Sequence, residues 1–255
     1  MPYCNALFYR RYDGGAGASS HPTILLHGLG GSHLSWPPEM RRLRGHHIFA
    51  LDLPGHGHAS NGTCVDMECH TQALRKFVQN MRFDQVNLVG HSMGAMIAYA
   101  FASQFPSVIH SLSLMSIGEK YPFARQLELD FIREKTRTNA IGVFHNNGFH
   151  ADFPKHTRTK LLAPLHRTRL SLLHADAMVC ANFYPQQFPL TTNRYPVLII
   201  TGKDDNLVPI SGVRNFAASI PGSQLEIIKD CGHFVIYEQP KVVSYHLQNF
   251  LDQNR

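Results

Sequence analysis

Membrane, fibrous and disordered proteins have signatures that this 255-residue sequence lacks. No stretch approaches the roughly 18 consecutive apolar residues that span a bilayer, and there is no internal repeat or low-complexity segment. With 44% hydrophobic and 16% charged residues, the composition is that of a globular protein. The N-terminal residues lack the basic and apolar regions of a signal peptide. We therefore expect a cytoplasmic protein with no membrane partner.

Cysteine is scarce and widely scattered. The five cysteines are an odd number and include no C-x-x-C spacing, so the sequence favours neither a disulfide framework nor a zinc site. We expect free thiols in a reducing compartment, and no metal or organic cofactor. The five residues are Cys4, Cys64, Cys69, Cys180 and Cys231.

Basic residues exceed acidic ones, which gives a formal net charge of +6. The sequence nevertheless has no run of Lys and Arg interleaved with aromatic residues, and no zinc-finger or RNP signature. A nucleic-acid partner is therefore not expected.

Short apolar runs that end in glycine-rich turns alternate with segments of helical period. The runs suit buried parallel strands that are covered on both faces, and the alternation predicts a doubly wound, mostly parallel α/β sheet. The predicted strands are residues 23–27, 47–52, 86–89, 109–114, 196–201 and 224–228. The predicted helices are residues 66–81, 93–104 and 235–251.

Residues 119–194 interrupt this alternation. They contain no strand-like run, and helix-like stretches occur at residues 126–135 and 157–173. We expect a helical cap over the carboxyl ends of the strands, where open α/β sheets place their ligands. The predicted domains are a core of residues 1–118 and 195–255 and a cap of residues 119–194.

The strongest motif is Gly90-His91-Ser92-Met93-Gly94, a match to G-x-S-x-G with a strand-like run before it and a helix-like run after it. A sharp turn of this kind exposes the serine hydroxyl above the sheet, and the glycines permit the turn. The start of the following helix favours developing negative charge. Ser92 is therefore the predicted nucleophile.

Further motifs follow the same order along nearly the whole chain, and together they resemble the α/β-hydrolase family. These are HGLGGS at residues 27–32, DLPGHG at 52–57, GKDDNLVP at 202–209 and GHF at 232–234. The resemblance implies the α/β-hydrolase fold and a Ser-His-Asp triad that cleaves a carboxylic ester through an acyl-enzyme.

The acid and the base of the triad are identified by position. The family pattern G-x-x-D-x-x-V-P, counted from Gly202, selects Asp205, with the adjacent Asp204 as the alternative. Asp52 lies in the turn motif, for which we expect a structural role. His233 follows the last strand and completes the order Ser, Asp, His, so it is the predicted base.

Three other histidines lie in or beside the motifs: His27, His56 and His91. We expect structural roles for all three. His91 is adjacent to Ser92 on a sharp turn, where neighbouring side chains diverge, and His27 and His56 lie in loops. An oxyanion hole is expected from the backbone N–H groups of Leu29 and Met93, which would stabilise the transition-state oxygen.

The predicted cap carries 11 basic and six acidic residues, so it contributes +5 of the net charge. One interpretation is a solvated lid. The other is a docking surface for an acidic partner, in which Arg133, Lys135 and Arg137 take part and attraction raises the encounter rate.

Length, helical cap and motifs are also similar to those of the pimeloyl-[acyl-carrier protein] methyl ester esterases. That resemblance implies an ester linked to an acyl carrier, a role in biotin synthesis and an acidic acyl carrier protein that docks on the cap. Phe144, Phe149 and Phe153 are candidates to line an acyl tunnel, although aromatic residues in a cap also form its core.

Other activities remain open. Ser92 argues against epoxide hydrolases and haloalkane dehalogenases, which place Asp at this turn. Thioesterases and carbon–carbon bond hydrolases use the same triad, and some members of the fold are receptors that bind small molecules. The leading prediction is a serine esterase that acts on a small-molecule or carrier-linked ester.

Overall fold

A mixed sheet forms the centre of the structure, a computed structural model that describes residues 3–4, 7–15, 17–59, 62–190 and 194–255. Its strands in the described residues are β1 (Tyr3–Cys4), β2 (Leu7–Tyr12), β3 (Thr23–Leu26), β4 (Ile48–Asp52), β5 (Val86–His91), β6 (Ile109–Met115), β7 (Val197–Gly202) and β8 (Gln224–Ile228). The order across the sheet is β1-β2-β4-β3-β5-β6-β7-β8. The β1–β2 and β2–β4 pairs are antiparallel, and the other pairs are parallel. The predicted fold class is therefore confirmed.

The two strands at the N-terminal edge were not expected from the sequence. In β2 only the first two residues are buried, and Arg10 and Arg11 are exposed. A half-exposed strand of this kind has no continuous apolar run, which is why the pattern that identified the buried strands missed it.

The register of the central strands determines where the functional loops emerge. Leu25 of β3 pairs with Ala50 of β4 on one side and with Val89 of β5 on the other. Leu26 pairs with Gly90, so β3 and β5 end at the same level. The loop after β3 and the turn after β5 consequently leave the sheet side by side.

Helices cover both faces of the sheet and also form an insertion between β6 and β7. In the described residues they are α1 (Pro38–Arg41), α2 (Met67–Asn80), α3 (Met93–Gln104), α4 (Ala124–Asp130), α5 (Arg137–Asn147), α6 (Lys155–Arg167), α7 (Leu170–Ala181), α8 (Ile210–Ala218), α9 (Val235–Glu238) and α10 (Pro240–Gln253). Within that part of the chain, none is long and apolar enough to cross a membrane.

Two predicted helices are interrupted. The segment 235–251 divides into α9 and α10, because Pro240 has no N–H to continue the first helix and instead begins the second. The stretch 157–173 spans the end of α6 and the start of α7, since Thr168 and Arg169 adopt extended or irregular backbone between them.

Two layers of apolar side chains hold the helices against the sheet. On one face α2, α3 and α8 pack through residues such as Phe77, Phe101 and Phe216. On the other face α1 and α10 pack through residues that include Met40 and Phe250. Burial of such side chains is the main source of stability in a fold of this kind.

The insertion between β6 and β7 consists of α4 to α7 and has an apolar core of its own. Phe131, Phe144 and Leu173 belong to that core, and Leu207 joins it from the loop after β7. Residues 191–193, just before the predicted end of the cap at residue 194, lie outside the described residues.

Two arginines hold the insertion together from inside. The Arg158 guanidinium donates hydrogen bonds to backbone carbonyls of the segment before α6, and Arg137 donates to the carbonyl of His166 at 2.5 Å and pairs with Glu134 at 2.9 Å. The carbonyls that accept from Arg158 belong to His145, His150, Ala151 and Phe153. Both arginines are buried, so neither presents its charge on the surface, and Arg137 does not fit the docking role that was expected of it.

The expectation of free thiols is wrong for one pair. Cys64 and Cys69 form a disulfide, with their Cα atoms 5.4 Å apart. Asp66 lies between them and caps α2 by accepting a hydrogen bond from the Cys69 N–H at 2.8 Å, which folds the chain back on itself. Cys180 and Cys231 are free thiols, and burial raises the pKa of both. The side chain of Cys4 lies outside the described residues.

Candidate active site

Ser92 occupies the sharp turn between β5 and α3, with φ 54° and ψ −119°. This left-handed backbone is unusual for a residue with a side chain. The Ser92 N–H donates to the Met115 carbonyl at 2.9 Å. A Cβ at Gly90 would overlap the Gly94 backbone, and a Cβ at Gly94 would overlap the Leu26 carbonyl. Both glycines of the motif are therefore required by the close approach of neighbouring chain.

The three residues predicted as the triad meet at this turn. The Ser92 hydroxyl donates to Nε2 of His233 over 2.9 Å, and Nδ1 of His233 donates to Oδ2 of Asp205 over 2.8 Å. His233 is 3% exposed and Asp205 is 4% exposed. The arrangement can pass a proton from the serine to the imidazole while the carboxylate holds the ring and stabilises its charged form.

The backbone of its own loop fixes the Asp205 carboxylate. Oδ1 accepts hydrogen bonds from the N–H groups of Leu207 at 2.9 Å and Val208 at 2.8 Å, which leaves Oδ2 for His233. The neighbouring Asp204 points elsewhere, since its Oδ2 lies 3.0 Å from Nδ1 of His150 and its side chain is 39% exposed. Of the two adjacent carboxylates, only Asp205 contacts the imidazole.

A glutamate that the sequence motifs did not indicate holds the histidine loop. Glu238 accepts one hydrogen bond from the Gly232 N–H at 3.0 Å and another from the His150 N–H at 2.7 Å. The His233 N–H donates to the Gly148 carbonyl at 2.8 Å. Burial raises the pKa of Glu238, although these backbone donors oppose the effect. Hydrogen bonds therefore hold the loop that carries His233 both to the cap and to α9.

The two expected oxyanion donors lie on either side of the nucleophile. Met93 is the first residue of α3 and follows Ser92 directly, whereas Leu29 belongs to the loop after β3. That loop passes close by, because a Cβ at Gly28 would lie 3.3 Å from Cβ of Ser92. Among the described residues, no acceptor is hydrogen-bonded to the N–H of Leu29 or Met93. Both N–H groups are therefore available to a developing oxyanion.

Asp176 of the cap fixes the same loop from above the sheet. Its Oδ2 accepts hydrogen bonds from the Gly30 N–H at 2.8 Å and from Nε2 of His56 at 2.8 Å, and the residue is completely buried. Burial opposes the charge on His56, but the nearby Asp176 carboxylate prevails and raises the pKa of His56. A buried ion pair therefore links α7 of the cap, the DLPGHG turn and the loop that carries Leu29.

The other residues of the motifs make contacts inside the core. Nε2 of His91 donates to the His233 carbonyl at 3.0 Å, and burial together with the nearby His233 lowers the pKa of His91 to about 3. His27 accepts a hydrogen bond from the Leu53 N–H at 3.1 Å. Asp52 accepts from the His33 N–H at 2.6 Å. These are the structural contacts expected for the three residues.

A cavity of about 430 Å³ opens next to the triad. Besides Ser92 and His233 of the triad, the cavity is lined by the loop after β3, by α6 and by several apolar and aromatic side chains. The lining residues outside the triad are Gly28, Leu29, Gly30, Gly31, Ser32, Leu34, Ser35, His91, Phe144, Lys160, Leu161, Leu162, Pro164, Leu165, Arg167, Phe234 and Tyr237. A volume of this size holds a small organic substrate.

A second, smaller space of about 40 Å³ also reaches the triad. It shares Leu29, Ser92, Phe144 and His233 with the larger cavity and is otherwise bounded mainly by apolar side chains that include Met96. The nucleophile therefore borders two separate spaces. Such an arrangement can separate the acyl part of a substrate from its leaving group.

The three phenylalanines expected to line an acyl tunnel differ in position. Phe144 lines both spaces beside Ser92. Phe149 and Phe153 line neither; they stack on each other with ring centroids 5.3 Å apart, and Phe149 also stacks on Phe234 at 4.5 Å. Phe149 and Phe153 therefore support the cavity wall from behind rather than forming it, which corrects the expectation for these two residues.

One group of side chains in the described residues has the spacing of a metal site. Ligand atoms of His150, Asp204 and Asp230 lie within 4.8 Å of one another. Asp230 is exposed, and the other two are half-buried. None of the three lines the cavity beside Ser92, so this group is separate from the triad.

Known proteins resemble the chain over nearly its whole length. A family model described as alpha/beta hydrolase fold matches residues 22–240. A 2-hydroxy-6-oxononadienedioate/2-hydroxy-6-oxononatrienedioate hydrolase of Paraburkholderia phymatum is 26% identical over 93% of this chain and 89% of its own. The monoacylglycerol lipase ABHD6 of Bos taurus is also 26% identical, over 90% and 75% respectively.

A solved structure has the same fold at lower identity. The enol-lactonase from Burkholderia xenovorans LB400 matches with a TM-score of 0.85 and 18% identity, and the match covers 96% of each chain. The likeness extends over the insertion between β6 and β7 as well as over the sheet.

Proposed function

The chain belongs to the α/β-hydrolase family, and we propose that it is a serine hydrolase that cleaves a carboxylic ester through an acyl-enzyme on Ser92. The observation that carries this proposal is a pair of hydrogen bonds, from Ser92 to His233 over 2.9 Å and from His233 to Asp205 over 2.8 Å. It lies beside a mostly apolar cavity, which suits an ester with a small or medium-sized acyl group.

In the first half of the reaction, His233 takes the proton of the Ser92 hydroxyl as the oxygen attacks the carbonyl carbon. The carbonyl oxygen becomes negatively charged and receives hydrogen bonds from the N–H groups of Leu29 and Met93. His233 then donates its proton to the departing alcohol, and the acyl group remains on Ser92.

In the second half, His233 removes a proton from water as the water oxygen attacks the acyl carbon. His233 then returns that proton to the Ser92 oxygen, the acyl–oxygen bond breaks, and the acid is released. Asp205 stabilises the imidazolium that forms in both halves. Since two backbone N–H groups hold its Oδ1, the carboxylate keeps its orientation throughout. Apart from the ester and one water molecule, the groups named in these steps all belong to this chain.

Carbon–carbon bond hydrolysis is the second candidate, and the relative from Paraburkholderia phymatum favours it. The substrate in that relative's name carries a 6-oxo group and, as a dioate, two carboxylates. The same serine, base and oxyanion donors would act on a ketone carbonyl, with carbon instead of oxygen as the leaving atom. Docking of an acidic acyl carrier protein on the exposed part of the cap stays a prediction.

Hydrolysis of p-nitrophenyl esters of increasing acyl length tests the proposal. We expect release of p-nitrophenol by the wild type, and Ser92→Ala should lower kcat by about 10⁴-fold or more. Ser211→Ala changes an exposed serine on α8 and should retain full activity. Undiminished release by Ser92→Ala would refute the assignment of the nucleophile.

A parallel assay with a 2-hydroxy-6-oxo dienoate compares the two candidates. Higher kcat/KM for this ketone than for every ester would make carbon–carbon bond hydrolysis the better proposal. Higher kcat/KM for an ester would favour the esterase.

A further inference from the structure

Two cations of α6 face the cavity beside the triad. Lys160 and Arg167 are seven residues apart, which places them on the same side of the helix about 10 Å from each other along its axis. Both line the cavity, together with the apolar side chains of Leu161 and Leu165 from the same helix. Both are exposed, whereas His233 is buried, so the cations line the solvent side of the cavity.

Neither cation is neutralised by a neighbouring acid. In the cap, arginine pairs with acidic residues at Arg125 and at Arg137; across the described part of the chain, no ion pair includes Lys160 or Arg167. The cavity lining contains no Asp or Glu. His91 adds no positive charge near pH 7, because its pKa is about 3. The solvent side of the cavity therefore carries two unpaired positive charges.

We propose that this cavity binds substrates that carry a carboxylate at the end remote from the scissile bond, and that Lys160 and Arg167 recognise that carboxylate. The inference rests on the proposed ester hydrolysis, since it names the substrate class for the same site. The apolar lining between the triad and the cations accommodates the hydrocarbon part of such a molecule. Half-esters of dicarboxylic acids have this form.

The charges act on binding and encounter more than on the chemical step. A carboxylate between the two cations makes charge-assisted hydrogen bonds, and the low-dielectric walls of a cleft strengthen its attraction. Exposed ion pairs contribute little individually, so we expect the two cations together to change kcat/KM by about tenfold. Because the charges are exposed, added salt should weaken the effect.

Matched esters separate this recognition from general activity. We compare a monomethyl dicarboxylate with the methyl ester of the monocarboxylic acid of equal chain length. For the wild type, kcat/KM should be about tenfold higher on the half-ester than on the neutral ester. The double variant Lys160→Gln/Arg167→Gln should lose that preference, so that its kcat/KM on the half-ester falls to its kcat/KM on the neutral ester. Sodium chloride should reduce the preference of the wild type and leave the variant unchanged.

A second double variant controls for the overall charge of the cap. Arg133→Gln/Lys135→Gln removes two exposed positive charges that do not line the cavity, so it should retain the preference for the half-ester. Equal loss of the preference in both double variants would overturn the assignment, because it would show that net charge alone matters. Equal loss of activity on both esters in the α6 variant would also overturn it.

Binding measurements keep the inference separate from the proposed reaction. If neither ester is hydrolysed, the esterase proposal fails, but calorimetric titration of the half-ester into Ser92→Ala protein still tests the subsite. We expect binding about tenfold tighter than in the same protein with Lys160→Gln/Arg167→Gln. Equal affinity for both proteins would contradict the carboxylate subsite whatever the reaction proves to be.

Discussion

At the scale of single residues, the adjacent Asp204 and Asp205 illustrate how position gives a carboxylate its role. Two backbone N–H groups and the His233 ring take up the oxygens of Asp205. Asp204 instead contacts His150, which belongs to the cap. Chemically identical side chains therefore have different surroundings because successive residues of a tight loop point in different directions.

Substitution of each aspartate by asparagine tests this distinction. Asp205→Asn retains the shape but favours the wrong tautomer of His233, so kcat should fall about 10⁴-fold. Asp204→Asn is the matched control and should change kcat by less than about tenfold, since it loses only a partly exposed contact. Steady-state kinetics on one ester, with thermal unfolding to verify folding, measure both effects. The opposite ranking would mean that Asp204 is the acid.

At the scale of elements, the cap does more than cover the site. Asp176 of α7 bonds to the loop after β3 and to the turn after β4 at once, and the carbonyl of Gly148 accepts from the loop that carries His233. The cap therefore contacts the loop of a proposed oxyanion donor and the loop of the proposed base. A change inside the cap can consequently affect the rate of reaction without touching the substrate.

Asp176→Asn tests the link between α7 and the oxyanion loop. Loss of the buried ion pair should lower the free energy of unfolding by about 3 kcal/mol. It should also lower kcat, by up to about 10²-fold, because the Leu29 N–H is less well positioned. Chemical denaturation and kinetics measure the two effects. Ser171→Ala, an exposed change on the same helix, should leave both unchanged, and unaltered kcat in Asp176→Asn would contradict the positioning role.

The pH dependence of the same variant has a definite sign. The Asp176 carboxylate raises the pKa of His56 above its ordinary value of 6.5, so the pair stabilises the fold fully below pH 6.5. Its contribution is lost as the pH rises through the raised pKa. The difference in unfolding free energy between wild type and variant should therefore shrink with rising pH. Asp52 also raises the pKa of His56, whereas burial lowers the pKa values of the neighbouring His27 and His70. All three residues remain in both proteins.

At the scale of the whole molecule, the sequence was most informative where a local pattern decides the structure. The buried strands are short apolar runs, and the turn at Ser92 needs glycines at fixed positions, so both could be predicted. The separation of α9 from α10 was predictable in principle from Pro240. The residues of the separate motifs lie close together because β3, β5 and β7 end on the same edge of the sheet.

Features that depend on long-range contacts could not be predicted. Asp176 is the single acidic residue of α7 and lies 146 residues from Gly30, which it contacts. Arg137 and Arg158 look like surface charges in the sequence, yet both are buried among carbonyl groups. Phe149 and Phe153 are aromatic residues of the kind that line apolar cavities, yet both pack behind the cavity wall. The positions of these side chains depend on how the cap folds and packs on the core, which no local sequence pattern specifies.

The central claim is that Ser92 becomes covalently modified during turnover, and mass spectrometry after treatment with a fluorophosphonate tests it most directly. We predict one adduct per chain, on the peptide that contains Ser92, with no adduct in Ser92→Ala and much slower labelling in His233→Ala. An adduct on another residue, or ester hydrolysis that persists at full rate after complete labelling elsewhere, would contradict the proposed mechanism.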